Sequence, residues 1–142
     1  MTEVGFPAFD TTVQKTNHLL RHIEGAYGWP KERRNQSYAA LRSVLQTLRD
    51  RLTVEEAAQL AAQLPMLVRG LYYEGWNPTV VPVDMDRAEF LARVQTAFGY
   101  ESEGGPVRLV HTVVDALKHH VTEGEWGDIR SSMPRDLAAV LI

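Results

Sequence analysis

The sequence predicts an all-α protein: a helical bundle of two tandem, pseudo-symmetric four-helix units, about eight helices with no sheet. Three observations carry that expectation. First, the chain repeats itself. Shifted by 69 positions, residues 38–73 lie over residues 107–142 without a gap, with Val44 on Val113, Leu48 on Leu117, Thr53 on Thr122, Glu56 on Glu125 and Pro65 on Pro134. Second, apolar residues recur at helical spacing in both copies. Third, no stretch of any length carries a strand signal. The matched positions are of the kinds that set caps, breaks and apolar stripes, so the repeat reports architecture and not chemistry.

The elements follow in order. A first helix is predicted over residues 12–26, with a counterpart over 87–98. A register of 71 pairs Leu20 with Leu91, Ile23 with Val94, Tyr27 with Phe98, Gly28 with Gly99 and Trp29 with Tyr100. Each helix ends in aromatic-Gly-aromatic. Glycine suits the left-handed position after a helix, and the flanking rings can close over its end. Asp86, with Glu89 three residues on, opens the counterpart. In the second helix Leu41, Val44, Leu45, Leu48 and Leu52 recur at offsets 0, 3, 4, 7 and 11, as do Val110, Val113, Val114, Leu117 and Val121 in its partner. The other faces, with Arg42, Arg49 and Arg51 or His111, Lys118 and His119, read as solvated and charged.

Thr53 and Thr122 each open a Thr-x-x-Glu capping box, in which the hydroxyl accepts from the third amide and the Glu reaches back to the Thr amide. Ala57, Leu60 and Leu64 face inward on the first short helix, and Trp126, Ile129 and Met133 on the second. Pro65 and Pro134 end these helices and start the next ones, because proline lacks an amide and suits a first helical position. Val68, Leu71 and Tyr72 then point inward, as do Leu137, Val140 and Leu141. Residues 74–85, with Asn77-Pro78 and Val81-Pro82-Val83, form an extended connector across the surface. The repeat units are thus 11–73 and 86–142. Each is too short for a robust core of its own, so 1–142 reads as a single domain.

Bulk properties bound the function. The 142 residues are 44% hydrophobic and 23% charged, a globular composition. Residues 1–73 carry a net charge of +2 and residues 74–142 one of −5, giving −3 for the chain. That balance argues against a nucleic-acid binder. There is no cysteine, so no disulfide framework. The first ten residues lack a signal-peptide core, and no run approaches the roughly 20 apolar residues of a membrane span. The expectation is a soluble, cytoplasmic protein.

The run Gln63-Leu64-Pro65-Met66-Leu67-Val68-Arg69-Gly70-Leu71-Tyr72-Tyr73-Glu74-Gly75-Trp76, preceded by Leu48-Arg49-Asp50-Arg51-Leu52-Thr53 and Glu56, resembles the bacterial family called domain of unknown function 2267. The likeness covers about residues 10–142. It implies an all-helical fold and no activity, because the family has none to carry over to any residue.

The chemistry-bearing residues are few. His18 and His22 stand at i and i+4, the spacing of two metal ligands on one helix face, but a site needs a third. Glu24 is near in sequence, and His111, His119 and His120 are distant. The basic set Lys31, Arg33, Arg34, Arg42, Arg49 and Arg51 is interleaved with acids and reads as a solvated face. No serine elbow, phosphate loop or cofactor motif occurs, so no catalytic, cofactor or metal residue is assigned. The informative positions are those where the repeat is broken. Arg69 falls on Ala138 and Tyr73 on Ile142, while Glu74 and Trp76 have no counterpart. Arg69, Tyr73, Glu74 and Trp76 are therefore the candidate interaction surface, of residue types enriched at binding hot spots. The competing reading packs Tyr72 and Trp76 between the units and pairs Arg69 with an acid. The function expected is a non-enzymatic interaction or scaffold module that binds an unknown protein partner or itself. The alternative is a small-molecule or metal binder using the groove between the units.

Overall fold

The computed structural model describes residues 5–142. Its helices are α1 (Pro7–Tyr27), α2 (Arg34–Arg51), α3 (Val54–Ala61), α4 (Met66–Tyr73), α5 (Arg87–Phe98), α6 (Pro106–Leu117), α7 (Glu123–Ser131) and α8 (Arg135–Ala138), with 3-10 turns at Lys31–Arg33 and Ala139–Leu141. Among the described residues there is no strand, and the all-α class stands.

The apolar stripes of α2 and α6 form the centre. Leu41, Val44, Leu45 and Leu48 on α2, and Val110, Val113, Val114 and Leu117 on α6, have no exposed surface. The most extensive helix contact is α2 on α5, and α1 packs against α2, α4 and α6. Elements from the two halves of the sequence thus share one continuous core. Gly28 and Gly99 close α1 and α5 with φ of 72° and 76°, the left-handed conformation glycine adopts without penalty. The rings of Tyr27 and Trp29 stack at 4.4 Å beside the end of α1.

Several local expectations change. The first helix begins at Pro7 and not at residue 12. Proline starts a helix readily, whereas the apolar periodicity only becomes dense at Leu19 and could not mark the earlier turns. Pro65 and Pro134 occupy the cap position, one residue before the helices they introduce. The connector is not wholly superficial: the Val83 amide donates to the Asp50 carbonyl at 2.7 Å, and Met85 is buried.

The two capping corners also differ. At Thr53 the box is complete, with Glu56 N donating to Thr53 Oγ1 at 3.2 Å and Thr53 N donating to Glu56 Oε1 at 2.9 Å. At Thr122 the hydroxyl accepts from Glu125 N at 3.1 Å, but the Thr122 amide donates to Gln63 Oε1 at 2.8 Å. Packing of α7 against α3 brings the α3–α4 corner within reach. Glu125 is left buried, and desolvation raises its carboxyl above the ordinary range.

Candidate functional site

The four residues singled out at the break in the repeat do not share one role. Arg69 sits on the first turns of α4 and is half-buried. Its Nε donates to the Ala61 carbonyl at 2.8 Å and a terminal nitrogen to the Leu64 carbonyl at 2.9 Å. These oxygens lie at the C-terminal end of α3, where carbonyls lack helical partners, so Arg69 braces the α3–α4 corner and takes no acid as partner. Tyr73 and Trp76 are half-buried, packed on the core and on each other at 5.2 Å. Tyr72, fully buried, donates to the Ala57 carbonyl at 3.0 Å, and burial pushes its phenol well up. Of the four, only Glu74 is exposed; its carboxylate lies 3.7 Å from Arg42.

Two further ties were not legible in advance. Arg49 is buried, not on a solvated face. It donates to the carbonyls of Tyr72 and Glu74 at 3.0 and 2.7 Å and pairs with Asp50. It thereby fixes the C-terminal end of α4 to α2. Glu24, 6% exposed, accepts from Arg34 through both oxygens and from Ser37 at 2.6 Å. The Arg34 hydrogen bond leads in holding its carboxyl below the ordinary range, against the opposing effect of burial.

Glu74 also marks one end of an open trough of about 690 Å³ between α1, α2 and α4. Its walls are apolar: Phe9 and Val13 from α1, Tyr38 and Leu41 from α2, Met66, Leu67 and Leu71 from α4. Phe6, Phe9, Val13, Tyr38, Met66 and Leu67 are between 45% and 66% exposed. Two of the few polar side chains there are engaged within the fold. Thr12 Oγ1 accepts from Leu67 N at 2.8 Å, and Thr16 Oγ1 donates to the Thr12 carbonyl at 2.8 Å. Sequence reasoning missed this surface because Met66 and Leu67 read as the start of an amphipathic helix. The signal was present in the 69-residue register, which sets Met66 and Leu67 opposite Arg135 and Asp136.

Further along α1 the histidines meet. His18 and His22 face His119, which lies in the turn after α6, with ring centroids 5.4 and 5.2 Å apart. His119 Nε2 stands 3.4 Å from His22 Nδ1. Of the third partners available in the sequence, the fold supplies His119. Glu24 is committed to Arg34 and Ser37, and His111 is exposed on α6. With the side chains as placed, no group of three or more His, Asp or Glu among the described residues could hold a metal ion.

The fold defines the class as an all-helical domain. The chain belongs to the family described as "Uncharacterized conserved protein (DUF2267)", whose model matches residues 16–140. No curated protein matches it. No helix among the described residues is long and apolar enough to cross a membrane.

Proposed function

We propose that this chain is a non-enzymatic interaction module that self-associates, with the trough between α1, α2 and α4 receiving the same region of a second copy. The observation that carries this reading is the makeup of the surface itself. Phe6, Phe9 and Val13 form an exposed apolar ridge on and just before α1, at i, i+3 and i+7, directly beside the trough that Phe9 and Val13 help to wall. A two-fold interface needs one patch that carries both knob and hole, and this patch does. Glu74 is the one carboxylate in the walls, which hold no Lys, Arg or His, so two copies can meet there with little charge to desolvate.

A small-molecule reading is less supported. Ligand sites combine apolar walls with a few convergent polar groups, and here the Thr12 hydroxyl is occupied within the fold. The test is sedimentation velocity over a wide concentration range. The wild-type chain is expected to sediment as a dimer and Phe9→Asp as a folded monomer, since Phe9 is 58% exposed, with equal melting temperatures at dilutions where the wild type is also monomeric. A wild-type chain that stays monomeric throughout contradicts the proposal.

A further inference from the structure

We propose that His18, His22 and His119 bind one divalent transition-metal ion of the kind that favours imidazole nitrogen, such as zinc, nickel or cobalt. This does not depend on the trough, whose α1 residues are Phe9, Thr12, Val13 and Thr16.

The argument begins with spacing. His18 and His22 are one turn apart on α1, so their side chains leave from one face. The second half of the sequence adds the third imidazole: α6 packs on α1, and the turn that follows it carries His119 to both rings. The distances then become specific. Two nitrogens bound to a tetrahedral ion at about 2.0–2.1 Å each stand roughly 3.3 Å apart. His22 Nδ1 and His119 Nε2 are 3.4 Å apart, so one edge of the coordination tetrahedron is already laid out. Without an ion, two neutral imidazoles at that distance share at most one weak hydrogen bond, and a cation gives both lone pairs a partner.

His18 completes the set by rotation. It is exposed, and rotamer changes of exposed side chains are fast and weakly resisted. As placed, the three rings meet but could not hold an ion together, so the site requires that His18 rotation. Three protein ligands leave the fourth position to water or to an exogenous donor. The ion would also join α1 to the end of α6, so it binds the folded chain in preference to the unfolded one and stabilises it.

The test uses the full chain without a histidine tag, stripped with chelator and titrated with zinc chloride by calorimetry. A parallel cobalt(II) titration is followed by visible absorption. One ion per chain is expected. His18→Ala, His22→Ala and His119→Ala should each weaken binding by at least about tenfold, with His111→Ala unchanged and all four variants melting as the metal-free wild type does. Loss of the cobalt spectrum in His119→Ala identifies a site that spans two elements. If His119→Ala binds as the wild type does, the metal sits only on the i, i+4 pair of α1 and the three-histidine site is wrong. A stoichiometry well below one, or an equal loss in His111→Ala, overturns it as well.

Discussion

The helix after Pro65 and the helix after Pro134 correspond in the 69-residue register, yet they meet their surroundings in opposite ways. α4 runs for eight residues and opens with Met66 and Leu67, 52% and 47% exposed. α8 runs for four, opens with Arg135 and Asp136, and gives way to the Ala139–Leu141 turn. The inward positions agree, because Val68 and Leu137 are fully buried, as are Tyr72 and Leu141. The outward positions do not. Where the second segment presents charge to solvent, the first presents apolar side chains beside a trough. Packing explains the shared positions and does not explain Met66 and Leu67. Contiguous exposed apolar side chains of this kind are what the proposed self-association would cover.

Mutations can sharpen this contrast. The largest effect is expected at an inward position: Leu137→Ala removes a fully buried side chain and should cost about 2–5 kcal/mol in urea unfolding. Leu67→Ala, one position earlier in the register, should change stability by less than about 0.5 kcal/mol while weakening self-association. Next comes Arg69→Ala, which leaves the Ala61 and Leu64 carbonyls without their charged donor and should cost about 1–3 kcal/mol. A neutral result there would return Arg69 to the interaction surface. Thr53→Ala and Thr122→Ala should each cost about 1 kcal/mol. Gln63→Ala should destabilise less, and only through the Thr122 corner, where it holds the amide.

The two buried carboxyls give a comparison in pH. Glu24 has its pKa lowered from the ordinary 4.5 by Arg34 first. Its contribution is present above that value and is lost as pH falls through the lower, folded one. Glu125 has its pKa raised, chiefly by burial. Its contribution is full below 4.5 and is lost as pH rises through the higher, folded value. Relative to wild type, Glu24→Gln should therefore become more destabilising between pH 4 and pH 7, and Glu125→Gln less so. Urea midpoints at the two pH values decide it, and parallel trends would break the account of both sites.

Much of the fold was legible because caps, breaks and stripes are local. Gly28, Gly99, Thr53 and the apolar offsets of α2 and α6 each state their role within a few residues. What was not legible depends on neighbours distant in sequence. Nothing near Thr122 announces that Gln63 takes its amide, and nothing near Arg49 announces that Glu74 lies beside it. Nor do His18 and His22 indicate that His119 folds onto them. The surface proposed for self-association lies one helix face away from the residues the broken repeat singled out. The broken repeat pointed to α4, but it singled out Arg69, Tyr73 and Trp76, which the fold uses to brace and pack. Their exposed neighbours Met66 and Leu67 line the trough. Only Glu74 belongs to both sets.

The most direct test of the central claim gives α4 the outward residues of α8. Sedimentation velocity of the wild-type chain and of the Met66→Arg, Leu67→Asp double variant, with thermal unfolding alongside, isolates the trough from the core. The account predicts a wild-type dimer and a folded, monomeric variant whose melting temperature equals that of the wild type diluted to monomer. A variant that still dimerises, or a wild-type chain that never does, would contradict it.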